Sequence, residues 1–289
     1  MNTVDAIRHA IARPPHRTNI GLRPILARDW IATQCDYWEQ MRVRQTVIKR
    51  HPDTVQAVAG SDDAIRVVRD RLVNHLCIYH PGDYQRRGAR LQLRPLKLQI
   101  DLAKTPPLEA IARLVPDDIC VMREDDEGVY RLIAAAVCFP TRWQLTPKMG
   151  HSLMDIHAPV PTYREHIGHP MDTLFRRTPN ERIVCRANWS IVDSPELYQP
   201  VRPTVIHTAK DPDDIGRRLW VRSERQTLRR FRETRDIIFG IRIQQATLEE
   251  VCQDADTARR LCGQVESMPP ALLGYKGLEA KRLMDYLSR

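Results

Sequence analysis

The chain has 289 residues, of which 42% are hydrophobic and 28% charged, a globular balance that lets one large domain or two modest ones bury a substantial core. No apolar run reaches the roughly eighteen residues of a membrane-spanning helix, and the N-terminus, MNTVDAIRHAIARPPHR, lacks the apolar core of a secretory signal, so a cytoplasmic location with no membrane partner is expected. The formal net charge of +9 invites a nucleic-acid partner, but arginine is spread along the chain, dense only at Arg217-Arg218 and from Arg225 to Arg235, and solvated faces or an anionic cofactor account for it as well.

Residues 1–20 are polar and interrupted by Pro14-Pro15, which reads as an N-terminal arm; residues 21–289 then form a single domain with helical extensions at both ends. Gly21 to Ile25 reads as a short extended entry. A helix fits 29–50, with Trp30, Ile31, Tyr37, Trp38 and Met41 on its apolar side, and a second fits 62–79, where Ile65, Val68, Leu72, Leu76 and Tyr79 recur at steps of three and four. Pro81-Gly82-Asp83 ends it in a turn. Thr105 followed by Pro106 reads as an N-cap and first-turn proline for a short helix over 107–115.

The pattern then changes. Ile119 to Met122 and Val129 to Cys138 are β-prone runs separated by the acidic loop Glu124 to Gly128, as in a hairpin. Thr146-Pro147 opens a short helix, and another fits 163–177. Ile183 to Val192 reads as a strand, and 219–227 with 236–244 as a second hairpin. Thr247-x-x-Glu250 is a capping box opening a helix towards 263, and 277–287 forms the last helix. Helices first, then antiparallel strands with helices between them, then helices again make an α+β protein rather than a parallel α/β one.

Seven cysteines, at 35, 77, 120, 138, 185, 252 and 262, form no Cys-x-x-Cys pair and read as buried free thiols. No glycine pair forms Gly-x-Gly, so neither a dinucleotide fingerprint nor a phosphate loop is present, and there is no Gly-x-Ser-x-Gly elbow or His-Glu-x-x-His helix. The most informative stretch runs from Phe139 to Trp189. Within it His157 stands between an apolar residue and the prolines Pro159 and Pro161, which stiffen the backbone after it and suit a ring presented in one direction, as a metal or cofactor ligand requires. A histidine that caps a loop or satisfies a buried carbonyl is the plainer alternative.

Several segments occur together in a recognisable order: Gly21-Leu22-Arg23-Pro24, Cys138-Phe139-Pro140, Trp143, Lys148-x-Gly150, Ile156-His157-x-Pro159-Val160-Pro161, Arg186-x-Asn188-Trp189, Glu224-Arg225-Gln226-Thr227 and Tyr275-Lys276-Gly277. Over about residues 20–287 the chain resembles the haem-binding alpha subunit of the haem-dependent oxidative N-demethylases. The resemblance implies a PAS-like antiparallel sheet with helices on its face. It also implies haem b, dioxygen, a small secondary methylamine substrate such as dimethylamine, and partner subunits that deliver electrons from NADPH through flavin and iron–sulfur carriers. The missing dinucleotide loop and clustered cysteines fit that division of labour.

On this footing His157 is the first choice for the haem-iron ligand, with His151, His166 and His169 as alternatives; were one of these the ligand, His157 could line the distal side. Arg186 and Asn188 share a strand face, Trp189 the other; Arg186 could meet a haem propionate and Asn188 a polar ligand, or the strand could carry only an edge ion pair. Arg225 or Arg229 could hold a propionate, and Glu224 could orient the histidine or hold a cationic amine, with a surface charge run as the alternative. Trp143 is either a cofactor wall or core packing. Two competing classes remain: a non-catalytic haem or ligand sensor, and a basic binding module without haem.

Overall fold

The computed structural model describes residues 2–17, 20–33, 36–161, 163–202 and 214–288. The chain opens with helix α1 (Thr3–Ala10) and the short strand β1 (Arg23–Pro24), followed by α2 (Tyr37–Arg50), β2 (Val55–Ala57) and α3 (Asp62–Tyr79). A meander of β3 (Tyr84–Arg87), β4 (Arg90–Leu93) and β5 (Leu98–Asp101) leads to α4 (Pro107–Leu114) and the hairpin β6 (Asp118–Glu124) and β7 (Tyr130–Ala136). The single turn α5 (Leu153–Ile156) and helix α6 (His169–Arg177) precede β8 (Ile183–Val192). After α7 (Ile215–Arg218) come the long hairpin β9 (Trp220–Arg230) and β10 (Ile237–Thr247), then α8 (Leu248–Cys252), α9 (Ala255–Glu266), α10 (Pro270–Lys276) and α11 (Ala280–Leu287).

The protein is α+β. A 7-stranded sheet runs in the order β1-β8-β9-β10-β6-β7-β2, every neighbour antiparallel, and β3-β4-β5 form a separate sheet. Both faces of the large sheet are covered near its centre. Val121 and Ile238 pack with Trp30, Val68, Leu72 and Ile111 from the α2–α4 side. Cys120, Met122 and Leu228 point the opposite way, towards Met171 and Phe175 of α6. This double burial explains why β6 reads as a continuous apolar run rather than an alternating one. A third cluster joins α1 and α8–α11 to one end of the sheet through Trp189, Ile191 and Val221.

Beneath the sheet lies an ion pair with almost no access to water. Arg44 of α2 reaches Asp118 at 2.7 Å and also donates to the carbonyls of Ala112, Pro116 and Ala136. The Asp118 carboxylate in turn accepts the backbone N–H groups of Cys138 and Phe139. One charged pair thus ties α2, α4, β6 and the exit of β7, from which the chain departs to build the wall opposite the sheet.

Several elements differ from the sequence expectation. Residues 1–20 hold helix α1, capped by the Asn2 side chain, with Ile7 and Ile11 buried against the C-terminal helices. An 8-residue amphipathic helix with two anchors is packed by its partner elements, and local polarity concealed it. The helix expected over 29–50 begins at Tyr37; Trp30 and Ile31 are buried outside it, and residues 34 and 35 lie outside the described residues. The β3-β4-β5 sheet was not anticipated, because its strands are only 4 residues long each, too short for alternation to stand out. Pro106, not Thr105, occupies the N-cap of α4. The 163–177 helix starts as a π-helical turn over Arg164–Gly168 before α6. The Thr247 capping box is present, but Asp254 caps a new helix, so 248–266 is split in two. No helix among the described residues is long and apolar enough to cross a membrane.

Candidate functional site

Antiparallel registry fixes which side chains share a sheet face. Arg186 pairs with Gln226 and Asn188 with Glu224; Gln226 and Leu228 pair with Ile241 and Phe239, which pair with Asp118 and Cys120. These residues form a diagonal stripe across β8, β9, β10 and β6. Facing it is the wall built by residues 139–175. Between them lie an outer chamber of 430 Å³ and an inner pocket of 180 Å³, which share Thr141, Trp143, His157, Tyr163, Arg186, Glu224, Gln226 and Tyr275 as lining. The outer space alone falls in the usual range for small-molecule sites, about 300–1,000 Å³. The inner pocket is largely apolar, walled by Met122, Leu132, Ile156, Ile167, Met171, Phe175, Leu228 and Phe239.

His157 lies on the wall opposite the sheet, at the C-terminus of α5. Ser152 caps this short turn by accepting the Asp155 N–H, and Lys148 donates to the carbonyl of Ile156 at 2.6 Å. His157 Nδ1 bonds the carbonyl of Leu153 at 2.9 Å, which makes Nδ1 the protonated nitrogen and leaves the Nε2 lone pair without a partner among the described residues. The Tyr163 ring stacks on the imidazole, centroids 4.3 Å apart and planes within 10°. Burial, reinforced by Lys148 and Arg186, lowers the imidazole to about 4 against the opposing Leu153 bond and Glu224, so the ring is neutral at physiological pH. The direction of this ring comes from the Leu153 carbonyl and the Tyr163 stack. The prolines act one step away, closing the turn in which Val160 N–H bonds the His157 carbonyl.

Glu224 faces the same chamber from the sheet. Its Oε1 accepts the Thr141 hydroxyl at 2.7 Å and its Oε2 accepts the Gln226 amide at 2.9 Å. Each donor is itself fixed: Arg222 donates to Thr141 at 3.1 Å, and Arg186 donates to Gln226 at 2.6 Å. Arg222 is fully buried and also holds the carbonyls of Phe139 and Leu197, so the chain is pinned where it enters the wall. Arg142, the next residue, adopts a left-handed conformation (φ 63°) and pairs with Asp193 at 2.5 Å. A left-handed arginine is uncommon, and backbone strain of this kind is concentrated at functional sites.

The structure brings together His157, Glu224, Asn188, Arg186 and Trp143, all on the cavity wall, with Asn188 exposed at the outer chamber. Trp143 lines both spaces and carries the Lys148 ammonium 5.4 Å from its ring. Arg225 and Arg229 lie elsewhere. Arg225 stands one residue from Glu224 and so faces the other way, and because the strand expected to turn after Thr227 continues to Arg230, Arg229 shares that opposite face. There Arg225 donates to the carbonyls of Asp29 and Trp30, while Arg229 pairs with Glu181 at 2.7 Å and covers Trp30. His151, His166 and His169 are exposed and line neither space. Sequence reasoning overlooked Thr141, Gln226, Tyr163, Lys276 and His16. The last sits on the segment after α1, its Nδ1 engaged by Gln264 at 3.1 Å, and lines only the outer chamber. Gln226 was legible from its two-residue spacing to Glu224, and Lys276 stood in the Tyr275-Lys276-Gly277 segment without a role; nothing local marked the others.

The family model for haem-dependent oxidative N-demethylase, alpha subunit-like proteins matches residues 21–283. The chain belongs to this family. Haem dependence and oxidative N-demethylation are therefore its coarse class, and an alpha-subunit-like chain is one of several subunits. The residues present fit a haem. A bare metal ion needs several protein ligands, whereas a porphyrin fills the equatorial positions and asks the protein for an axial one. His157 offers that one: a neutral imidazole with its second nitrogen free and its first fixed by a carbonyl. The inner pocket supplies apolar wall, and Arg186, half-buried beside it, has no carboxylate within 4.0 Å among the described residues.

Proposed function

We propose that this chain is the catalytic haem b subunit of an oxidative N-demethylase that uses dioxygen to convert a small secondary methylamine of the dimethylamine type into formaldehyde and the shorter amine. One observation carries the reading: the free Nε2 of His157 and the clamped carboxylate of Glu224 line one cavity from opposite walls. When bound, haem supplies the dioxygen activation and the oxidation of the N-methyl carbon that side chains cannot perform.

The chain's own residues do the rest. His157 Nε2 would ligate the haem iron, and its Nδ1–H bond to Leu153 keeps the ring in the tautomer that ligation requires. Glu224 receives the ammonium form of the substrate. Thr141 and Gln226 hold its oxygens in place, so the amine meets a preorganised acceptor rather than a mobile one. Met122, Met171, Phe175 and Phe239 keep water from the apolar side. Arg186 suits a haem propionate, and Asn188 suits a polar ligand at the outer rim. The antiparallel sheet with helices packed on it supports the PAS-like expectation. Electrons would come from partner reductase subunits carrying flavin and iron–sulfur centres, as the family resemblance implies, and the lack of a dinucleotide loop in this sequence fits that division of labour. The test is formaldehyde release from dimethylamine by the haem-loaded protein with dioxygen and a chemical reductant. Release that requires all of these supports the proposal; haem binding with no release overturns the catalytic reading.

Thr141→Val removes the hydroxyl that joins Arg222 to Glu224 while keeping the side-chain shape. The loss of a hydrogen bond to a charged group is worth about 1.5–3 kcal/mol, so kcat/KM for the amine is expected to fall roughly ten- to hundredfold. Haem content stays at the parent level, and Thr141→Ser retains most of the activity. Steady-state kinetics on samples matched for haem absorbance check this.

A further inference from the structure

Away from the inner pocket, the outer chamber holds a second group of polar side chains. Lys276 stands in the last turn of α10, where Gly277 in a left-handed conformation (φ 67°) stops the helix. Its ammonium donates to the carbonyl of Trp189 at 2.9 Å and lies 5.7 Å from the Trp189 ring. An ammonium has three donors, and this carbonyl takes one. No carboxylate lies within 4.0 Å of it among the described residues. Burial lowers it to about 8, with Glu224 opposing and Arg202 reinforcing the change. Arg202 lines the same chamber: its guanidinium lies 3.9 Å from the ring of Tyr275, the residue before Lys276, donates to the Tyr275 carbonyl, and has no carboxylate within 4.0 Å among the described residues. Both line the outer chamber and neither lines the inner pocket.

A half-buried ammonium sharing a chamber with a guanidinium, with donors to spare and no carboxylate within 4.0 Å of either among the described residues, is an anion site in wait of its ligand. We propose that Lys276 and Arg202 form a carboxylate-binding site in the outer chamber. It rests on the reading of this cavity as a haem and amine site, and it deepens that reading. Two carboxylates satisfy the chemistry. One is a propionate of the cofactor. The other belongs to the substrate: an amine seated on Glu224 with a carboxylate on Lys276 is an N-methyl amino acid.

Two variants and four probes distinguish these sources. Lys276→Met nearly keeps the length of the side chain and removes the charge; Arg202→Gln removes the charge with a shorter polar side chain at an exposed position, where folding is not at stake. Apoprotein is titrated with haem b and with its dimethyl ester, which lacks charged propionates, following the Soret band. Haem-loaded protein is titrated with dimethylamine and with N-methylglycine, following the ligand-induced spectral change. A propionate role weakens haem b binding by roughly tenfold or more in the variants and leaves the ester unchanged. A substrate role weakens N-methylglycine to a similar extent and leaves dimethylamine unchanged. Parent-like binding of all four probes by both variants, or equal losses within each pair, overturns the proposal. If the parent binds no haem, the reading of the whole cavity falls instead; if the parent binds haem and amine while the variants are unaffected, only the carboxylate site is removed.

Discussion

Glu224→Gln is expected to lower kcat/KM for the amine by roughly 10- to 100-fold, the value of one or two hydrogen bonds to a charged group, with haem content unchanged. Two effects act together. The counter-charge for the ammonium disappears. The two protein donors, Thr141 Oγ1 and Gln226 Nε2, are also arranged for two acceptor oxygens, each anchored from behind by Arg222 or Arg186. A glutamine places an N–H against one of them, and a donor facing a donor forces rotation of a side chain that is now held in place. Glu224→Asp keeps the charge but draws it back by one methylene, so it is expected to recover part of the loss. Steady-state kinetics across a series of N-methylamines, with haem absorbance as the denominator, measure both. Unaltered kinetics in the glutamine variant would remove Glu224 from substrate binding.

Asp118→Ala is expected to destabilise the fold by about 3–5 kcal/mol, the usual consequence of removing one partner from a buried ion pair. The cause is what remains: Arg44, with no exposure to water, loses its carboxylate, and the Cys138 and Phe139 N–H groups lose their acceptor. Because those two N–H groups start the chain towards Thr141 and Trp143, the damage reaches the cavity, and weaker haem retention is expected alongside the lower urea midpoint. The double variant Arg44→Met, Asp118→Ala is expected to be more stable than Asp118→Ala, since removing both charges leaves none unpaired. Equilibrium unfolding in urea of the parent, both singles and the double checks the sign of that coupling. A single variant as stable as the parent contradicts the role given to the pair.

How much of this was legible beforehand follows from the range over which each feature is specified. Periodicity is local, so α3 and β8 and the hairpins stood out in the sequence, as did the capping box at Thr247. The α1 helix did not, because Ile7 and Ile11 gain meaning only against α8 and α9, more than two hundred residues away in sequence. The candidate site shows the same division. His157, Glu224, Arg186 and Asn188 belong to family motifs and lie on the cavity wall. Arg225 and Arg229 belong to the same run but face away, because the two-residue period puts 225 and 229 on the face opposite 224 and 226, and pairing with β10 keeps β9 extended as far as Arg230. Thr141 acts through a left-handed turn at Arg142 and a buried arginine on another strand, and no spacing in the sequence announces that.

The axial contact is the central claim, and a cavity-plus-rescue titration tests it most directly. His157→Gly leaves a space the size of the ring beside Tyr163. Haem is added to the parent and to the variant, without and with free imidazole, and the Soret and visible bands are followed in the oxidised and reduced states. The account predicts that the parent binds haem with the spectrum of an imidazole-ligated iron, that the variant alone binds it weakly or with a different spectrum, and that imidazole restores the parent's bands. A folded His157→Gly variant that takes up haem as tightly as the parent and shows the parent's spectrum without imidazole would contradict it.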